Sequence, residues 1–363
     1  MIRLYGAWAK RICGLAAALL LCAASATAAD MSGAKSLIPL GRTVGIKLFS
    51  QGVMVVKLAE GDSAAKDGGL QIGDVILQCG GAQVTSAEQF QELLQEDGTA
   101  DLRVSRNGGE ITVRVEPERN EDGVCQIGAW IRDSMAGIGT LTWYDPETNR
   151  FGALGHGVTD VDTGLLMPFQ DGSILKSTVK AVKRGERGSA GELRGDFDLT
   201  RDIGYLYANT DRGVFGTVSD GDDSGVFGVI GECGATSENA DGGILSGVTD
   251  AGSVGDAISS ETPVPLRQPV KGAARILSNV EGDAVREYAI EITRVIDGAD
   301  DGRDMEIKVT DPELLARTGG IVQGMSGSPI LQNGGFVGAV THVLLQDPTR
   351  GYGISMETML AAS

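Results

Sequence analysis

Gly319-Gly320-Ile321-Val322-Gln323-Gly324-Met325-Ser326-Gly327-Ser328-Pro329-Ile330 is the stretch on which the reading of this chain turns. An apolar pair leads in and Pro-Ile-Leu leads out, so Ser326 is expected at the tip of a tight turn between two extended segments. Glycines at 324 and 327 permit backbone angles that a Cβ resists. A hydroxyl on such a turn stands clear of bulk, as a nucleophile must. Backbone N–H groups must also converge on the carbonyl oxygen under attack, and Gly324 and Ser326 are spaced to supply two of them. The competing reading is a Gly/Ser-rich hairpin turn without chemistry.

A nucleophilic serine needs a base, and the chain has only two histidines, His156 and His342. His156 lies in Phe151-Gly-Ala-Leu-Gly-His-Gly-Val-Thr-Asp160, where an apolar strand runs into a glycine-flanked imidazole. A histidine with an ordinary pKa near 6.5 can take a serine proton near neutral pH. His342 follows the nucleophile loop and is expected either to pack structurally or to line the substrate pocket. The Gly-x-Ser-Gly-Ser-Pro wording resembles the nucleophile loop of chymotrypsin-like serine proteases.

At 363 residues the chain is long enough for two domains. Hydrophobic residues make up 42% and charged residues 22%, which is ordinary for a globular protein with a sizeable core. Abundant glycine (54 residues) and sparse aromatics (5%) suit many short strands and tight turns. The net charge of −18 argues against nucleic acid and against an anionic membrane surface as partners.

The first residues read as a targeting segment. Arg3, Lys10 and Arg11 form a basic start, residues 12–29 carry no charge, and Ala26-Thr27-Ala28 is a small-residue cleavage site. Residues 1–29 are therefore expected to be a signal peptide or an N-terminal membrane anchor, which implies export. Of the five cysteines, Cys13 and Cys22 fall in this segment. Cys79, Cys125 and Cys233 are scattered, with neither metal-ligand spacing nor a disulfide framework. No metal or cofactor is implied.

Residues 30–40 read as a linker and 41–118 as a module of four strands and two helices. Ser86 is the expected N-cap of a helix over 86–94 with Phe90, Leu93 and Leu94 on one face. Asp62-Ser-Ala-Ala-Lys-Asp-Gly-Gly-Leu-Gln-Ile-Gly-Asp-Val-Ile-Leu77 resembles the short helix, turn and strand of PDZ domains. That resemblance implies capture of an extended peptide as an added strand, with Thr43, Val44, Gly45 and Ile46 as the loop that would hold its carboxylate. From about 126 to the end the chain reads as short, glycine-punctuated strands without strand–helix alternation, which favours a barrel or sandwich.

Residues 127–140, 152–157, 319–330 and 338–343, with the PDZ-like module and the export segment, resemble the stage IV sporulation protein B peptidases of endospore-forming bacteria. The resemblance implies a mainly β chain with a chymotrypsin-like double β-barrel peptidase domain over 126–363. It implies an exported or membrane-associated serine endopeptidase that cleaves itself. It places the protein in the intermembrane space of the forespore, where it cuts a membrane-embedded regulator of an intramembrane metalloprotease and so leads to sigma-factor activation. It assigns Ser326 as nucleophile, His156 as base and Asp311 as the acid. Read from residues alone, Asp311-Pro312 is also a helix start, and Asp160, Asp198 and Asp202 suit the usual chain order of the acid better. The rival function is a PDZ-containing peptide-binding scaffold with an inactive peptidase fold.

Overall fold

The computed structural model describes residues 35–95, 98–220, 225–227, 262–296 and 298–363. The export segment, the first part of the 30–40 linker and Cys233 lie outside the described residues.

The chain is mainly β. Strand β1 (Ser36–Pro39) and the long β2 (Thr43–Leu58) are followed by α1 (Ala64–Asp67), β3 (Val75–Cys79), β4 (Ala82–Gln83) and α2 (Ala87–Leu93). Strands β5 (Ala100–Arg106), β6 (Gly109–Val115), β7 (Glu118–Arg119) and β8 (Cys125–Gln126) come next. Helix α2 starts where its sequence predicts, because the Ser86 hydroxyl accepts from the Gln89 N–H at 3.1 Å. Val53, Val55, Ile76, Phe90, Leu94, Leu102 and Val104 are buried together and form the core of this PDZ domain. Asp74 is buried with a bidentate partner, the Arg106 guanidinium, and also accepts the Gln71 N–H at 2.8 Å.

Strand β9 (Ala129–Asp145) then leads into β10 (Arg150–Ala153), β11 (Asp171–Lys183), β12 (Glu192–Thr210) and β13 (Gly213–Val218). The order β9-β10-β13-β12-β11-β2 is closed into a ring by the β2–β9 pairing, which makes a first barrel. Val44, Ile46, Leu141, Phe151, Ala153, Ile174 and Val214 fill it. The two-residue β14 (Val264–Pro265) pairs with β1. A second barrel, closed in the order β15-β16-β17-β20-β19-β18, comprises β15 (Gly272–Asn279), β16 (Val285–Val295), β17 (Met305–Val309), β18 (Pro329–Gln332), β19 (Gly335–Val343) and β20 (Arg350–Ser355). Ile276, Ile290, Ile292, Ile307, Ile330, Val337 and Val340 occupy its interior. Apolar side chains on these strands point inside, and each large one so buried contributes about 1.5–3 kcal/mol. Helices α3 (Pro312–Thr318) and α4 (Met356–Leu360) complete the fold.

Two boundaries expected from sequence fall elsewhere. Residues 36–39, read as linker, are strand β1 and pair with β9. Residues 43–49, read as the start of the PDZ module, belong to the first barrel. There Val44, Gly45 and Ile46 pair with Lys176, Leu175 and Ile174 on one side, and Thr43 to Ile46 pair with residues 137–140 on the other. A strand held on both edges has no backbone N–H left for a peptide carboxylate, so these four residues cannot form the carboxylate loop. Strand β2 enters the PDZ sheet only from Val53 onward, where it pairs with β3.

Candidate active site

Strand β10 delivers the base. After Ala153 the chain turns sharply through Leu154 and Gly155, both left-handed, with φ of 69° and 72°. Leucine disfavours that region by roughly 1–2 kcal/mol. Its amide is held by the Thr140 carbonyl at 3.2 Å, which fixes the turn. A Cβ on Gly155 would lie 2.9 Å from the side chains of Ile354 and Thr341. The glycine before His156 therefore lets the first barrel press against the second, rather than merely clearing space around the ring.

The second barrel delivers the nucleophile from the loop between α3 and β18. Gly324 and Gly327 have φ of 96° and 97°. A Cβ on Gly327 would meet the Thr140 oxygen at 2.1 Å, so no other residue fits there. The loop is tied down from both barrels. The Thr140 hydroxyl donates to the Gly324 carbonyl at 2.6 Å, the Thr140 N–H to the Ser326 carbonyl at 3.1 Å, and the Gly327 N–H to the Val340 carbonyl at 2.7 Å. The Met325 N–H turns back to the Val322 carbonyl at 3.1 Å. Among the described residues nothing accepts from the N–H groups of Gly324 and Ser326, the pair expected to hold an oxyanion.

Ser326, His156, His342 and Gly324 line one cleft of about 610 Å³ between the barrels. Ile321, Val322 and Thr341 wall it on the second-barrel side, Ile138 and Leu154 on the first. The Ser326 hydroxyl donates to the Thr341 carbonyl at 2.8 Å. The His156 Nδ1 lies 2.9 Å from the Gly157 carbonyl. A carbonyl only accepts, so Nδ1 carries the proton and Nε2 keeps its lone pair, the tautomer a base requires. Burial lowers the His156 pKa, and the bond to Gly157 opposes that shift in part. The His342 ring packs beside it, 5.2 Å away between centroids and tilted by 41°. Burial first, then the neighbouring His156 and Arg303, push the His342 pKa down to about 4. The site thus holds two imidazoles that stay neutral at neutral pH.

Asp311 does not complete this cluster. It is the N-cap of α3, where one carboxylate oxygen accepts the Leu314 N–H at 3.0 Å and the other the Ala289 N–H at 3.2 Å. Asp160 is buried on the Arg132 guanidinium and accepts the N–H and hydroxyl of Thr163. Asp202 accepts the Ser173 hydroxyl at 2.7 Å and Asp198 that of Thr200 at 2.5 Å. Among the described residues no carboxylate bonds to His156, and the orienting partner is the Gly157 carbonyl. Sequence reasoning had no means to find that carbonyl, since every residue has one. His342, in contrast, was visible as the histidine downstream of the loop.

A PDZ domain matches over residues 34–116. No curated protein matches the chain. Among solved structures it is similar to the PDZ domain of an SdrC-like protein from Listeria monocytogenes, at 20% identity over 22% of this chain and 87% of that one, with a TM-score of 0.21. It is also similar to the Rv3671c protease of M. tuberculosis. The active form matches at 12% identity over 64% of this chain and 73% of that one (TM-score 0.29), and the inactive form at 13% over 63% and 82% (TM-score 0.27). Residues 123–227 and 219–360, most of the chain and with it Ser326, His156 and His342, match the SpoIVB peptidase S55 family, so this serine peptidase chain belongs to that family.

Proposed function

We propose that the chain is an exported serine endopeptidase in which His156 activates Ser326, and that it cuts both itself and a membrane-embedded regulatory protein. The observation that carries this reading is the meeting of Ser326, a correctly protonated His156 and two unengaged N–H groups in one cleft. The Ser326 hydroxyl turns about χ1 from the Thr341 carbonyl toward Nε2 of His156. The imidazole takes its proton as Oγ attacks the substrate carbonyl, and the N–H groups of Gly324 and Ser326 receive the developing oxyanion. Nε2 then protonates the leaving amine, and water, deprotonated by the same nitrogen, releases the acyl group from Ser326.

The family resemblance supplies the setting: the space between the membranes around a forespore, a regulator of an intramembrane metalloprotease as substrate, and sigma-factor activation as the outcome. A second reading, a peptide-binding scaffold with an idle peptidase fold, draws on the bond from the Ser326 hydroxyl to Thr341 rather than to a histidine. The test is to express the full chain and its Ser326→Ala variant in membranes and determine the mature N-termini by mass spectrometry. A shortened N-terminus in the native chain alone supports self-cleavage. Identical N-termini, with no cleavage of an added membrane substrate by either chain, support the scaffold.

A further inference from the structure

Strand β9 runs unbroken from the PDZ domain into the catalytic cleft. Its first residues, Ala129 to Arg132, pair with the PDZ half of β2, and residues 134–140 pair with the barrel half. The register shifts between the two strands take up their extra residues on β2, between Phe49 and Met54 and between Val55 and Lys57. On its opposite edge β9 meets β10 only from Leu141 onward.

That opposite edge is open. Thr140 directs its N–H to Ser326 and its C=O to Leu154, whereas Leu141 directs both groups to residues 41 and 42. Backbone direction alternates along a strand. The N–H and C=O groups of Ile138, Ala136 and Ser134 therefore face the open edge. The phase changes at the register shift beside Asp133: Val55, the partner of Ile131, turns both its groups to residues 73 and 74, so on the PDZ half Ile131 and Ala129 face the open edge. Ser134, Ala136 and Gly137 are exposed. At the catalytic end Ala136 and Ile138 line the cleft with His156. At the far end β9 faces α2 across a groove of about 370 Å³ lined by Phe90, Gln91, Leu94 and Gly128. The N–H groups of Ile127 and Gly128 have no acceptor among the described residues. One side chain, Asp133, crosses to the helix and accepts the Ala87 N–H at 2.8 Å. Side chains stand off the sheet plane, so this contact leaves the backbone edge open.

We propose that the open edge of β9 is one continuous track for the substrate segment that follows the scissile bond, ending with a peptide C-terminus in the groove at Gly128. This rests on the peptidase reading. His156 protonates the leaving amine, so the residues beyond the cut leave on the first-barrel side, where the open edge runs through Ala136 and Ile138. A peptide antiparallel to β9 then runs with its C-terminus toward Ala129, the direction in which a carboxylate reaches the unengaged N–H groups of Ile127 and Gly128. From Ile138 to Gly128 is about ten residues, or roughly 33 Å at the usual rise per residue. The strand thereby sets cleavage about ten residues before the captured carboxylate. Thr140, on the same strand, holds the loop of Gly324 and Ser326, so an occupied track also steadies the oxyanion site.

The test uses the full chain and peptides with one cleavable sequence followed by 4, 7, 10, 13 or 16 residues, each ending in a carboxylate or an amide. The expected result is a kcat/KM maximum near 10 residues, about 10-fold above the shortest peptide and lost on amidation, mainly through KM. A kcat/KM independent of length and of the terminal carboxylate overturns the track but leaves the peptidase standing. If no peptide is cut at all, the peptidase reading is what fails. Hydrogen exchange on the Ser326→Ala variant then decides the track alone. Slowed exchange at Ser134, Ala136 and Ile138 as well as in the groove, with the 10-residue carboxylate peptide, supports it. Protection confined to the groove overturns it. So does an edge already protected without peptide and released by deleting residues 1–34, because the occupant is then the chain's own leader.

Discussion

The two barrels hold their catalytic residues in different ways. In the second, the loop carrying Ser326 is bonded on several sides, to Thr140, Val340 and within itself, and Gly327 has no room for any other residue. In the first, His156 follows a left-handed Leu154 and is oriented by one carbonyl of its own chain neighbour. The nucleophile is fixed by tertiary structure and the base by local backbone. The first barrel is also the one that shares strands with the PDZ domain, so the less constrained half of the site is the half connected to peptide capture.

Removing either side chain should erase the difference between the halves. Ser326→Ala and His156→Ala should each lower kcat by about 10^4-fold or more, and the double variant hardly further, because the pair acts as a unit. Steady-state hydrolysis of a peptide checks this, and additive losses would show that the two work separately.

Loosening the nucleophile loop from the first barrel should cost less. Thr140→Val removes the hydroxyl that donates to the Gly324 carbonyl and leaves that oxygen unpaired, at about 1–3 kcal/mol. We expect a kcat roughly 10-fold lower with KM little changed, and a lower denaturation midpoint. An unchanged kcat would mean that the loop does not need the first barrel.

Asp311→Asn sharpens the account of the base. An N-cap role predicts kcat/KM within about 3-fold and a stability loss of about 1 kcal/mol, since asparagine can keep the bond from Leu314 but its amide nitrogen cannot accept the Ala289 N–H. A fall of several thousand-fold would place Asp311 behind His156 in the working enzyme. Acidification tests the histidine pair. The folded-state pKa of His342 is about 4 against an ordinary 6.5. Below pH 6.5 the unfolded chain therefore takes up a proton that the folded chain refuses, and stability should fall between about pH 6.5 and 4. Urea melts of the native chain and of His342→Asn check this, and the slope should lessen in the variant. The direction is the same for His156, whose pKa is also lowered.

How much of this was legible in the sequence follows from how local each feature is. The turn at Ser326, the N-cap at Ser86 and the helix start at Asp311-Pro312 depend on neighbouring residues and can be read directly. Strand β12 was hidden because its first half is largely exposed and carries Glu192, Arg194, Asp196, Asp198 and Arg201, the composition of a loop. The sharing of β2 between a barrel and the PDZ sheet was hidden as well. It is a matter of which distant strands pair, and Thr43-Val-Gly-Ile reads equally well as a loop or as a buried strand. Apposition of the two histidines likewise required both barrels in place.

The central claim, that neutral His156 activates Ser326, is tested most directly by the rate at which a fluorophosphonate labels the chain between pH 4 and 8. The account predicts a single adduct on Ser326, a rate that rises with pH through one ionisation below 6.5 and then levels, and no labelling in His156→Ala. An adduct formed at the same rate without His156, or no adduct on Ser326 in the native chain at any pH, would contradict it.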